Sequence, residues 1–352
     1  MAVKAYLNAV AGAVPDHDIH LPYVEWAAAR IAEPRERALF ERMAERAGIA
    51  HRWSILPPTA DGGSPVCAGG FYAGAVPGTA ARMALYAAAA PRLALEAIGK
   101  LGPLGRISHL VVASCTGFVA PGVDQIIAEA LGLGDVERTL IGFMGCYAAA
   151  AALRTAHHIV RSEPEARVLV VTVELSSLHL QFASDLEALL AELQFGDGAA
   201  AALVTAEPVG FGIEAPFAVT LPESGELIRW TIGDSGFEMI LSGEVPGRIG
   251  TALRHDAVRA RILGDWAVDQ VDAWAVHAGG RSILDAAERA LELAPNRLAA
   301  SRRVLHDFGN MSSATLMFVL RELLADPEAR KGVAIAFGPG LAAEGFRFER
   351  AG

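Results

Sequence analysis

The chain reads as an α/β protein made of two similar halves. Short β-branched runs alternate with Ala- and Leu-rich helical stretches along nearly its whole length. Several of those runs are apolar at every position, as strands covered on both faces are. The second half repeats the alternation of the first, so a duplicated fold with its site where the halves meet is expected.

The elements follow in order. Met1–Val14 carries one lysine, Lys4, and Asn8 breaks its apolar run, so it reads as a first strand rather than a signal peptide. Ala84–Leu95 is Ala-rich but interrupted by Pro91, and no apolar run reaches the roughly 18–20 residues of a membrane span. Ile107–Ala113 is a buried strand ending in Ser114-Cys115-Thr116-Gly117, and Val123–Leu131 a helix. Arg138–Phe143 is a strand running into Gly145-Cys146. The helix Ala148–Arg161 follows, with Arg154, His157, His158 and Arg161 on its polar side. Arg167–Val173 and Ala199–Thr205 are further strands. Glu207–Leu227, rich in Pro, Gly and polar residues, reads as the join, giving halves 1–208 and 216–352. Beyond it come strand Ala273–His277, helices Ser282–Leu291 and Ser313–Leu324, and strand Val333–Phe337, which ends in Gly338-Pro339-Gly340.

Composition narrows the function. With 53% apolar and 20% charged residues the 352-residue chain has material for a large core. Cys67, Cys115 and Cys146 are too few and scattered for a disulfide framework and lack metal-ligand spacing. No metal is expected, and the pattern suits a reducing, cytoplasmic setting. A net charge of −10 speaks against a nucleic-acid partner. Arg42 and Arg46 share a helix face and could meet a polyphosphate, although the interleaved Glu33, Glu36, Glu41 and Glu45 read locally as a solvated surface.

Three residues carry chemistry. Cys146 stands at a strand–Gly–Cys–helix junction, where the helix start favours a thiolate; the alternative is a small buried hydrophobe. His277 ends a strand directly before Ala278-Gly279-Gly280, a setting that lets backbone or ligand approach its ring. Asn310, in Gly309-Asn310-Met311-Ser312-Ser313, is either a turn residue or an oxyanion donor, with Ser312 or Ser313 capping the next helix. His157 and His158 read as exposed.

Together these segments resemble the type III polyketide synthases, chalcone-synthase-like condensing enzymes of the thiolase fold. Gly145-Cys146-Tyr147-Ala148, Trp274-Ala275-Val276-His277 and Gly309-Asn310-Met311-Ser312-Ser313-Ala314 match the nucleophile, histidine and asparagine segments. Phe195-Gly196-Asp197-Gly198 matches the gatekeeper segment and Phe337-Gly338-Pro339-Gly340 the cyclisation loop. The resemblance implies a duplicated thiolase-like fold layered α-β-α-β-α, with Cys146, His277 and Asn310 catalytic. It implies that Phe195, Met239, Cys115, Thr116, Ala120, Ser176, His179, Ser312, Gly338, Pro339 and Gly340 shape the substrate cavity. Arg42, Arg46 and Ser282 would hold coenzyme A, which reverses the local reading of the two arginines. Acyl-CoA and malonyl-CoA are the implied partners, with no further cofactor, and a homodimer the implied assembly.

The departures from plant enzymes lie at Met239, Cys115, Ser176, His179 and Ala120. Smaller residues at Ala120 and Ser176 and a flexible Met239 predict more room beyond the cysteine, hence a medium or long acyl starter and an alkylresorcinol or alkylpyrone product. Cys115 reads as a lining residue rather than a second reactive thiol. The alternatives are an initiating β-ketoacyl synthase of fatty-acid type, a papain-like hydrolase and a non-catalytic acyl-CoA-binding scaffold.

Overall fold

The computed structural model describes residues 3–352. Its strands are β1 (Ala5–Ala13), β2 (His17–Asp18), β3 (Trp53–Ser54), β4 (His109–Ser114), β5 (Glu137–Gly142), β6 (Val168–Leu175) and β7 (Asp197–Thr205), then β8 (Phe211–Thr220), β9 (Ile228–Gly233), β10 (Gly236–Leu241), β11 (Ala273–Val276), β12 (Lys331–Gly338) and β13 (Ala342–Arg350). Its helices are α1 (His20–Arg30), α2 (Pro34–Arg46), α3 (Thr79–Gly99), α4 (Val123–Ala130), α5 (Ala148–Ser162) and α6 (Leu186–Glu192), then α7 (Val245–Arg254), α8 (Asp256–Leu263), α9 (Arg281–Ala290), α10 (Ala299–Phe308) and α11 (Ser313–Ala325).

Nine strands form one hydrogen-bonded array in the order β11-β12-β13-β8-β1-β7-β6-β4-β5. The duplication is visible in its pairing. β4 runs parallel to β6, which pairs antiparallel with β7, which pairs antiparallel with β1. In the second half β11 runs parallel to β12, followed by antiparallel β13 and β8. The halves join through the short antiparallel pairing Ala5↔Ile213 to Leu7↔Phe211.

Successive residues of the central strands serve different cores, as the two-residue strand period requires. Val111, Val168, Val170, Ala200 and Ala202 face a middle core together with Ala275, Ala334 and Ala336 of the other half. Val112, Leu169, Val171 and Ala201 face an outer core under α3, and Trp274, Val276, Val333 and Ile335 an outer core under α7–α9. Helices α5 and α11 fill the middle. Five layers result, α-β-α-β-α. The Ala-rich start of α5 meets alanine-rich strand faces, which allows the middle layer to pack closely.

Three local expectations change. Pro91 does not interrupt its segment: α3 runs unbroken through it for 21 residues, because burial against the sheet outweighs one missing backbone donor. The Pro- and Gly-rich stretch expected to join the halves contains strand β8, whose pairing on both sides overrides composition. His157 is buried rather than exposed; only its neighbour His158 faces solvent. Among the described residues no helix is long and apolar enough to cross a membrane.

Candidate active site

Cys146 lies in a 3-10 turn, Gly145–Tyr147, that leads into α5. Gly145 is required twice over: its φ is +72°, and an added Cβ would lie 2.5 Å from the Pro339 ring. The cyclisation-loop segment therefore packs directly on the nucleophile turn, and Tyr147 Oη donates to the Pro339 carbonyl at 3.5 Å. Gly340 has a positive φ and open space in its Cβ direction, so the turn itself calls for glycine there.

Asn310 enters from the other half. Phe195 and Asn310 form an isolated bridge, with Asn310 N donating to the Gln194 carbonyl at 2.7 Å and Gly196 N to the Asn310 carbonyl at 3.0 Å. Asn310 Oδ1 accepts from Ser312 N at 2.8 Å, and Nδ2 donates to the Gly279 carbonyl at 3.3 Å. The carboxamide also favours the charged form of the Cys146 thiol. The two readings of Asn310 are thus compatible: its oxygen organises the turn while its nitrogen faces the site. His277 leaves β11 on the other side of Gly279, where an added Cβ would lie 3.4 Å from His277 Nε2. Both ring nitrogens of His277 are buried without a hydrogen-bond partner.

Ser312 does not cap α11 with its side chain, contrary to expectation. Its φ of 48° turns the hydroxyl toward two thiols instead, 3.7 Å from Cys146 Sγ and 3.3 Å from Cys115 Sγ. Cys115 is buried against Glu174, whose carboxylate accepts from Cys115 N at 3.0 Å and Thr116 Oγ1 at 2.9 Å, and from Ser313 Oγ.

The electrostatics correct one expectation. Burial pushes the Cys146 thiol up to about 11, against the lowering effect of Ser312. Burial likewise pushes His277 down to about 3. A helix start is worth roughly 0.3–1 kcal/mol in typical settings, and a shift of two pH units is about 2.7 kcal/mol. The helix start alone therefore does not produce a thiolate here; a thiolate in this buried setting needs a compensating positive charge beside it.

The pocket at the nucleophile is narrow, about 10 Å³, and bounded by Ser176, Phe195, Trp230 and Met239. The same four residues wall an adjoining, largely apolar chamber of about 70 Å³. His179 borders the chamber rather than the nucleophile pocket. Its Nε2 contacts the Thr116 carbonyl at 2.7 Å and its Nδ1 accepts from Phe237 N at 3.0 Å, so the ring is a neutral strut. Ala120 is exposed and lines neither space, which removes it from the intrachain cavity.

Trp230 and Glu174 escaped the sequence reading. Trp230 stands directly across the β9–β10 hairpin from Met239 and donates from Nε1 to the Cys115 carbonyl at 2.8 Å. It lies on a hairpin that no periodicity announced. Glu174 had a visible signal, a carboxylate inside an otherwise apolar strand.

Arg42 and Arg46 are exposed on α2, flanking Met43. Met43 and Ser282 line one surface groove of about 500 Å³ that also includes Gln194, the neighbour of Phe195. Of the three residues expected to hold coenzyme A, Ser282 lines this groove, whereas Arg42 and Arg46 do not line it and stand on the helix that brings Met43 to its wall.

The family model described as chalcone and stilbene synthases, N-terminal domain, matches residues 2–208, and the C-terminal domain model matches residues 213–350. Bisdemethoxycurcumin synthase of Oryza sativa subsp. japonica is 38% identical over 291 residues, 75% of this chain and 72% of the relative. The alpha-pyrone synthesis polyketide synthase-like Pks18 of Mycobacterium tuberculosis is 36% identical over 255 residues, 69% of this chain; the match spans 65% of that relative's length. Among solved structures, PKS-I from the brown alga Ectocarpus siliculosus superposes with a TM-score of 0.87 at 28% identity, covering 99% of each chain. The C-terminal type III polyketide synthase domain of Steely1 from Dictyostelium superposes at 0.88, with 24% identity over 99% of this chain and 100% of that one.

Proposed function

The chain belongs to the chalcone and stilbene synthase family, and from that premise we propose that it is a type III polyketide synthase, extending an acyl group held on Cys146 with malonyl units. The observation that carries this reading is the convergence of Cys146 and Ser312, from opposite halves, on one buried pocket, with Asn310 holding the Ser312 backbone N–H beside it.

In the first step the Cys146 proton passes to His277 as sulfur attacks the acyl-CoA carbonyl. The carbon–sulfur bond to coenzyme A then breaks, and the coenzyme A sulfur leaves with that proton. Malonyl-CoA next loses CO₂: its carbon–carboxylate bond breaks, and the electron pair is held as an enolate facing Asn310 Nδ2 and His277. Two oriented donors in a dry site contribute several kcal/mol, about 3–4 each at best. The enolate carbon attacks the Cys146 thioester, the carbon–sulfur bond breaks, and a β-ketoacyl-CoA two carbons longer is released for another round or cyclisation beside Pro339. The thioesters supply the activation, and coenzyme A enters as substrate.

A medium or long acyl starter and an alkylresorcinol or alkylpyrone product fit the apolar chamber adjoining the Cys146 pocket, and the alpha-pyrone named for the Pks18 relative favours the pyrone. Pairing with a second copy fits edge strand β5, which exposes Leu140 beside the exposed Phe118; gel filtration at the monomer mass would remove it. A cytoplasmic setting fits the three unbridged cysteines. The central test is incorporation of labelled malonyl-CoA across a panel of acyl-CoA starters, read by product mass spectrometry, with wild type and Cys146→Ala. Incorporation by Cys146→Ala near the wild-type rate would overturn the assignment.

A further inference from the structure

The chamber next to the nucleophile pocket has a lining suited to an alkyl chain but too little room for one. The two spaces measure about 10 and 70 Å³, against the roughly 300–1,000 Å³ of sites that enclose a drug-sized ligand. A wall must therefore move when a medium or long chain enters. Most of the wall is tied into the body. Tyr23 donates from Oη to the Leu189 carbonyl at 2.7 Å, and Ser177 N and Oγ donate to Asp197 at 2.8 and 2.6 Å. The β9–β10 hairpin, which brings Trp230, Phe237 and Met239, is fastened at several points. Trp230 Nε1 donates to the Cys115 carbonyl at 2.8 Å, Phe237 N to His179 Nδ1 at 3.0 Å and Gly236 N to Thr79 Oγ1 at 2.9 Å. The Phe237 ring also stacks on His179, with centroids 4.2 Å apart.

One side differs. Ser64, Pro65, Val66 and Tyr72 line the chamber from segment 57–76, which contains no helix or strand. Its backbone hydrogen bonds close local turns, such as Thr59 N to the Gly63 carbonyl and Tyr72 N to the Pro65 carbonyl, both at 2.8 Å. Among the described residues a single hydrogen bond ties this segment to the rest of the chain, from Tyr72 Oη to the Ser177 carbonyl at 2.7 Å. The Tyr72 ring also packs against Phe182, so the segment is anchored at that end. Gly62 and Gly69 flank Ser64–Val66, with φ of +80° and +83° and nothing within 4 Å of an added Cβ. Both can turn without disturbing a neighbour.

We propose that residues 58–71 are the yielding wall of the chamber and set the length of acyl starter that the protein accepts. The inference rests on the reading of Cys146 as the acyl carrier. A short chain leaves the wall closed, and a longer one pushes Ser64–Val66 outward about the two glycines while Tyr72 holds. Each methylene that the chain buries favours opening, and the packing of Val66 on Leu56 and Tyr72 opposes it. Val66 is the aliphatic side chain of the moving part, and its size tunes that balance.

The first test uses wild-type protein acylated at Cys146 with butyryl-CoA or dodecanoyl-CoA, malonyl-CoA being withheld. Amide hydrogen exchange is then followed by mass spectrometry. The dodecanoyl form should exchange at least about threefold faster than the butyryl form in peptides covering 59–72, with 228–241 unchanged. The second test measures kcat/KM for malonyl-extended product with each starter and takes the dodecanoyl-to-butyryl ratio within one preparation, so that losses common to both starters cancel. Val66→Trp should lower that ratio by at least about tenfold and Val66→Ala should raise it by about three- to tenfold. Faster exchange confined to 228–241, acylation by butyryl-CoA alone, or ratios in the Val66 variants within about twofold of wild type would each overturn the yielding wall while leaving the polyketide reading intact. Failure of every starter to acylate Cys146 or to yield a malonyl-extended product overturns the polyketide reading instead.

Discussion

Asn310 Oδ1 accepts the backbone N–H of Ser312 at 2.8 Å, and this one bond decides which end of the carboxamide faces the nucleophile. With the oxygen committed to the turn before α11, the nitrogen is the end left toward Gly279 and Cys146. Asn310→Asp keeps the acceptor and loses the donor. It should keep the fold while lowering malonyl-CoA decarboxylation by about 10²–10³-fold. Unchanged CO₂ release in a folded variant would remove the nitrogen from its role.

On the proposed mechanism His277 receives the Cys146 proton, and removing the imidazole leaves a buried thiol near 11. His277→Ala is expected to slow Cys146 alkylation by iodoacetamide at pH 7 by at least about tenfold, with a rate that climbs steadily as pH rises. Equal rates in both proteins would show that the helix start suffices.

Gly145→Ala forces a Cβ against Pro339 and a side chain onto φ +72°. The strain should cost about 1–3 kcal/mol of stability and displace the cysteine. Thermal unfolding together with turnover checks both effects.

Trp230 closes one side of the nucleophile pocket and shares its wall with the larger chamber. Trp230→Ala should merge the two spaces and move starter preference toward longer acyl chains. A product profile unchanged in chain length would show that the wall opens elsewhere.

Stability should fall as pH rises from about 6.5 to 8. Burial raises Glu174 to about 7 and Glu192 to about 8, so the fold retains protons that the unfolded chain, with carboxyls near 4.5, has released. Stability from such groups is full below 4.5 and is lost as pH climbs through the folded values. His20, His157 and His179, near 4, and His277, near 3, act oppositely, but only below their unfolded value of 6.5. Above it the carboxyls stand alone. Unfolding midpoints at constant ionic strength should show the decline, and Glu192→Gln should flatten it between about 7 and 8.

How much was legible follows from range. Strands β4, β6, β7, β11 and β12 and helices α5, α9 and α11 announced themselves by local periodicity, because each buries a face through its own residue pattern. Cys146, His277 and Asn310 were legible from their glycine-marked junctions. Strand β8 was not, since its composition reads as a join and only pairing with the distant β1 and β13 gives it form, and the β9–β10 hairpin, whose two strands pair with each other, carries no clear alternation.

The sequence by itself determined the α/β class, the two-fold repetition and the three residues around which chemistry is proposed. The tertiary structure decided what those residues experience. Long-range burial reverses the thiol shift that a helix start implies and makes His179 a strut, while chain packing leaves Ala120 off the intrachain pockets and puts Trp230 and Arg52 into walls no motif marks. Desolvation and wall-making depend on atoms from both halves of the chain, and no local pattern encodes where the other half will lie.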